Sequence, residues 1–89
     1  METTIDKTIK GIARPNRKVR IKCEPCWITI VEIDGTFMEW ALYDADTLLA
    51  HDNSSMELLE PVHARELYIS VTGDETVNYT LTITKSKEL

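Results

Sequence analysis

Leu67-Tyr68-Ile69-Ser70-Val71, a Thr72–Thr76 turn, and Val77-Asn78-Tyr79-Thr80-Leu81-Thr82-Ile83-Thr84 form the stretch from which the fold is read. The second run sets Val77, Tyr79, Leu81 and Ile83 on one side and Asn78, Thr80, Thr82 and Thr84 on the other. Strict alternation is the period-2 mark of a strand with one face in a core and one in water. On a helix, four apolar residues spaced by two would scatter around the axis. Gly73-Asp74-Glu75 supplies turn chemistry between the runs, so the stretch is predicted to be a β-hairpin.

Working outward, the rest of the chain reads as more short strands. Ile5, Ile9 and Ile12 lie among Thr and Lys in residues 3–13, which suits an edge strand, with a short helix as the alternative. Arg14-Pro15-Asn16-Arg17 reads as a turn. Lys18-Val19-Arg20-Ile21-Lys22-Cys23 alternates charged and apolar residues, placing Val19, Ile21 and Cys23 inward, and its cations guard an edge against mispairing. After Glu24-Pro25, the more continuously apolar Cys26–Ile33 predicts a central strand. Asp34-Gly35 is a hairpin signal. Phe37–Tyr43 follows with Met38, Trp40 and Leu42 on one face, then an Asp44-Ala45-Asp46 turn and Thr47–His51. Polar Asp52–Ser55 leads to a short apolar piece at Met56, Leu58 and Leu59, and Pro61–Arg65 reads as irregular.

The prediction is therefore an all-β chain, a small antiparallel β-sandwich of seven to eight strands, with a jelly roll as its most specific form. Its 89 residues make one domain, 1–89. Its expected core is Val19, Ile21, Ile30, Trp40, Leu42, Leu67, Ile69, Val71, Tyr79, Leu81 and Ile83, with Trp27 or Phe37 left for an interface. No run approaches the roughly 18–20 apolar residues of a membrane helix, so no membrane is expected as a partner. Met1–Lys7 lacks the charged-then-apolar layout of a signal peptide, which predicts a cytoplasmic or virion location.

Trp40-Ala41-Leu42-Tyr43-Asp44-Ala45-Asp46-Thr47-Leu48-Leu49-Ala50, with Glu66–Val71 and Asn78–Ile83, resembles the bacterial pre-peptidase C-terminal domain. Members of that family are small jelly-roll sandwiches with a "lyd-dG-lla" strand–turn–strand and a closing "Y-tL-v" strand. The resemblance covers roughly the last half of the chain, and Thr47 stands where the family usually has glycine. It implies a jelly roll and an accessory, non-catalytic role; the family is usually appended to secreted enzymes.

Candidate chemistries are few. Cys23-Glu24-Pro25-Cys26 has the CxxC spacing of redox pairs and zinc knuckles. A thioredoxin-type pair needs a helix N-terminus to lower the first thiol's pKa, and strands flank this one. His51 and His63 would complete a Cys₂His₂ set, at a spacing that matches no familiar finger. Both cysteines are therefore read as core or boundary residues, with no metal, no cofactor and no structural need for a bond between them. Asp44/Asp46, Asp52-Asn53 and Asp74-Glu75 offer carboxylates for calcium without EF-hand order, and Asp and Asn are ordinary turn residues. Ser54 and Ser55 beside His51 and Asp52 lack any nucleophile-elbow context. With only Gly11, Gly35 and Gly73, no phosphate-cradling loop exists, and the chain is read as non-enzymatic.

Charge is the most informative remaining signal. Residues 1–23 carry seven basic side chains against two acidic ones, net +5, whereas residues 24–89 carry three against thirteen, net −10. A pI of 4.9 and the absence of interleaved aromatics disfavour nucleic acid. The split field instead favours a protein partner, including a second copy of the chain. Arg14, Arg17, Lys18, Arg20 and Lys22 are the candidate basic contacts, and Asp44 and Asp46 the acidic ones. The expected role is a non-catalytic structural or assembly module, such as an accessory protein of a phage or virus particle or a subunit of a larger complex. Two other roles compete with it. One is a carbohydrate-binding accessory module stacking sugars on Trp27, Trp40, Tyr43 or Tyr68. The other is a small acidic inhibitor of a host defence or DNA-binding protein.

Overall fold

The computed structural model describes the backbone of residues 2–88 and the side chains of residues 7–84. Eight strands follow one another: β1 (Glu2–Ala13), β2 (Arg17–Arg20), β3 (Cys26–Asp34), β4 (Glu39–Asp44), β5 (Thr47–Asp52), β6 (Met56–Ala64), β7 (Leu67–Thr72) and β8 (Val77–Glu88). They form two four-stranded antiparallel sheets, ordered β1-β8-β3-β6 and β2-β7-β4-β5. First pairs with last, second with seventh, third with sixth and fourth with fifth. That order is a long double-stranded ribbon rolled into two facing sheets, a jelly roll. Residues 3–13 are strand, not helix, and pair along their length with β8. Twelve residues at ~3.4 Å each give a ribbon of roughly 40 Å, which accounts for the molecule's 46 Å long axis.

The two runs of the deciding stretch are strands, but they do not form a hairpin. β7 and β8 lie in different sheets, and Thr72–Thr76 bridges from one to the other. Asp34-Gly35 likewise begins an arch between sheets, from β3 to β4. Each strand buries one face, and that requirement is met equally by pairing in one sheet or by facing across ~10 Å of core. Among the described residues, the only consecutive strands that pair are β4 and β5, at the Asp44–Thr47 turn. There Ala45 adopts φ 52, a left-handed conformation that costs an L-residue roughly 1–2 kcal/mol. Ala45→Gly is expected to raise stability by about 0.5–1 kcal/mol, read as a higher urea midpoint at unchanged m-value.

The core holds Ile21, Trp40, Leu42, Leu67, Ile69, Val71, Tyr79, Leu81 and Ile83, as the alternation predicts. Four expectations shift. Val19 sits half-buried at the core's margin. Ile30 points outward, because a bulge between Ile28 and Ile30 inserts Thr29 and reverses the phase of β3. Ile28, Val31 and Ile33 are buried in its place. Met38 does not share the face of Trp40 and Leu42: it precedes β4 in the arch and is 72% exposed. Residues 61–65, read as irregular, mostly continue strand β6 to Ala64. The side chain of Ile5 lies outside the described residues.

Tyr79 and Gly11 face each other across β8 and β1. The ring lies where a side chain at position 11 would go, with Cζ only 2.6 Å from an added Cβ. Glycine thus leaves room for an aromatic over an edge strand. Burial pushes the Tyr79 phenol above its ordinary 10.0. Below pH 10 both folded and unfolded chains keep the proton, so this group adds no pH dependence. As pH rises from there toward the folded value, the unfolded chain ionises first and stability falls. Tyr79→Phe is expected to flatten this part of the alkaline decline in a series of melts at increasing pH.

Candidate protein-binding surface

The predicted basic strand is used unevenly. Lys18 points out of the second sheet between two aromatic side chains, 4.5 Å from the Tyr43 ring centroid and 4.8 Å from that of Tyr68. The register explains this, because Lys18 opposes Ser70 on β7, one step from the Tyr43–Tyr68 pair of β4 and β7. Lys18 Nζ also donates to the Ala45 carbonyl at 2.6 Å and lies 3.6 Å from Asp46. Arg20 pairs with Glu66 at 3.6 Å. Asp44 Oδ1 accepts the backbone N–H groups of Arg65 and Glu66, at 3.3 and 3.0 Å, and so fixes the β6–β7 turn. Lys18, Arg20, Asp44 and Asp46 therefore hold together the end where β4 turns into β5.

Arg14 and Arg17 stand apart from that network at the opposite end, and among the described residues neither makes an ion pair or side-chain hydrogen bond. Lys22, on the link leaving β2, also makes none. Between the two arginines Asn16, at φ 60, ties its loop to the β7–β8 arch. Its Nδ2 donates to the Gly73 carbonyl at 3.0 Å, its Oδ1 accepts from Gly73 N–H at 3.3 Å, and its own N–H donates to Val71 O at 2.8 Å. Beyond that junction opens a cleft of about 350 Å³ lined by Thr36, Phe37, Met38, Gly73, Asp74 and Glu75. Phe37 packs its inner side against the core, while Met38 is exposed. Asp74 and Glu75 are exposed and, among the described residues, without ion pairs. One end of the sandwich thus carries an apolar lip and two carboxylates on the cleft, and the loop bearing Arg14 and Arg17 is joined to it through Asn16 and Gly73.

Phe37, set beside Trp27 in the sequence as a residue left over for an interface, is half-buried and lines this cleft. The sequence does not bring Met38 together with Asp74 and Glu75, because Met38 fits a strand alternation and the acids read as turn residues or calcium carboxylates. The available signal was that Gly35 and Gly73 (φ +132 and +153) punctuate two loops, one carrying a Phe-Met pair. A glycine at such φ breaks a strand, so residues after Gly35 need not keep the strand's phase.

The remaining candidates do not gather. His51 lies 3.5 Å from Glu39 on the outer face of the second sheet. His63 meets Trp27 edge-on at 4.9 Å on the outer face of the first. Cys23 and Cys26 sit together where the chain crosses between the sheets, so the cysteine pair, His51 and His63, weighed as a zinc set, lie in three separate places. Among the described residues no three His, Cys, Asp or Glu cluster as a metal site. Asp52 Oδ1 accepts from Asn53 N–H, Ser54 N–H and Ser54 Oγ, a local turn. Ser55 Oγ accepts from Ile33 N–H and donates to Ile33 O. Trp40 is fully buried, its Nε1–H donating to Ser54 O at 2.7 Å, and is withdrawn from the sugar-stacking set. Tyr43 and Tyr68 are capped by Lys18, whereas Trp27 remains 43% exposed. No helix among the described residues is long and apolar enough to cross a membrane.

Among protein-family models, curated proteins and solved structures, none matches this chain.

Proposed function

We propose that this chain is a non-catalytic assembly module that docks through the Arg14–Arg17 and Gly73–Glu75 end, its first partner being a second copy of itself. The observation that carries this reading is that Asn16, flanked by Arg17 and two residues from Arg14, is hydrogen-bonded to Gly73, beside Asp74 and Glu75, while Met38 lines the same cleft as those acids and, among the described residues, all four charges are unpaired. A surface offering both signs side by side is self-complementary under a two-fold axis, since each copy's arginines meet the other's carboxylates. Burying Met38 and the exposed side of Phe37 supplies the non-directional part of the attraction. An accessory protein of a phage or virus particle, or a subunit of a larger complex, is the setting in which such docking operates. The accessory role implied by the pre-peptidase C-terminal resemblance agrees with it.

The test is a charge swap. Arg14→Glu with Arg17→Glu is expected to weaken self-association at least about tenfold, because like charges then face each other. Asp74→Lys with Glu75→Lys should do the same, and mixing the two variants should restore a mixed complex. Lys18 is unsuited to this experiment because it also braces Tyr43 and Tyr68. Association unchanged in both variants contradicts the proposal. The carbohydrate-binding reading now rests on Trp27 alone, and quenching of its fluorescence by glycans in a strict monomer would favour it. Capture of a DNA-binding protein by the monomer would favour the acidic inhibitor.

A further inference from the structure

Cys23 and Cys26 play no part in the docking end. Cys26 opens β3 opposite Ala64 and is 1% exposed, whereas Cys23 is half-buried on the link that carries the chain from one sheet to the other. Their sulfurs lie 3.8 Å apart, hydrogen-bonded but not joined by a disulfide. A disulfide is about 2.05 Å long, so closure needs roughly 1.8 Å of approach. The link can supply it: residues 22–25 belong to no strand, and Glu24 and Pro25 are exposed. On either side the link is anchored, by Ile21 N–H donating to Leu67 O and by Cys26 paired opposite Ala64.

From this geometry we propose that Cys23 and Cys26 are a reversible dithiol–disulfide pair, in which Cys23 reacts with a low-molecular-weight disulfide and Cys26 resolves the product. The order follows from access, because a thiolate attacks an external disulfide only where solvent reaches it. Cys23 gives its proton to water and its sulfur attacks one sulfur of oxidised glutathione. The glutathione S–S bond breaks, and the departing glutathione thiolate takes up a proton. Cys26 then gives up its proton and attacks the Cys23 sulfur, expelling the second glutathione thiolate. In total two protein thiols are oxidised by two electrons, and one glutathione disulfide is reduced to two thiols. The bond closes a loop of only four residues, which restricts the unfolded chain little. It therefore acts as a reversible mark at the crossing between sheets, not as a staple the fold requires.

The test is intact-mass analysis after incubating the full chain with oxidised glutathione, alongside Cys26→Ser and Cys23→Ser. The wild type is expected to lose both free thiols together and two hydrogens in mass, reversibly with dithiothreitol. Cys26→Ser should hold one glutathione on Cys23. Cys23→Ser should react at Cys26 at least about tenfold more slowly, as a buried thiol does. A wild type that keeps both thiols, or that stops at a glutathione adduct, overturns the assignment, and this arm needs no variant to fold. Equal reactivity of the two single variants, each with wild-type circular dichroism, overturns the order of attack.

Discussion

Trp40→Ala is expected to leave the chain largely unfolded at room temperature or within a few kcal/mol of it. Trp40 is the largest fully buried side chain, inward on β4 between β5 and β7, and its indole N–H donates to Ser54 O. Emptying such a site costs about 3–5 kcal/mol, a transfer loss plus a cavity the neighbours fill only partly. At 0.05–0.15 kcal/mol per residue, a domain of this length has roughly 4–13 kcal/mol in all. The loss is therefore a large part of the total. Trp40→Phe keeps one ring and forfeits the N–H bond, so it should lose distinctly less. Urea titrations of both variants, followed by far-UV circular dichroism, check the order.

The second large effect is at Leu81. It is fully buried at the middle of β8, opposite Ile9 of β1 on one side and Val31 of β3 on the other. Leu81→Ala removes inward contacts from the strand that joins β1 to the rest of its sheet, at a cost of about 2–5 kcal/mol. For a domain of this size that corresponds to a melting temperature lower by roughly 10 °C or more. Leu59, in the edge strand β6, is 97% exposed. Leu59→Ala should therefore stay within about 0.5 kcal/mol of the wild type. A Leu59 variant as damaging as the Leu81 variant would contradict the placement of the core.

Period-2 alternation in Val77–Thr84 and Leu67–Val71 was enough to identify strands and their buried faces, because burial of one face is a local property of the sequence. It could not say which strand lies beside which. β7 and β8 satisfy the same pattern across the core that they would satisfy in a hairpin, and only the length of Thr72–Thr76 hinted at an arch. Thr29 hid a second feature: a bulge makes two alternations of opposite phase run together, and Cys26–Ile33 then reads as more continuously apolar than a one-faced strand. At the proposed docking end, charge alone singles out the arginines as candidates. Which of the five basic residues are already engaged was not, since Lys18 meets Tyr43, Ala45, Asp46 and Tyr68 from distant parts of the chain.

Self-association through the Arg14–Arg17 and Asp74–Glu75 end is most directly tested by light scattering that resolves mass, on the wild-type chain over a concentration series at low and high salt. The account predicts a mass that rises above the monomer with concentration and falls back toward it as salt screens the paired charges. A mass that stays at the monomer across the whole series at low salt would contradict it.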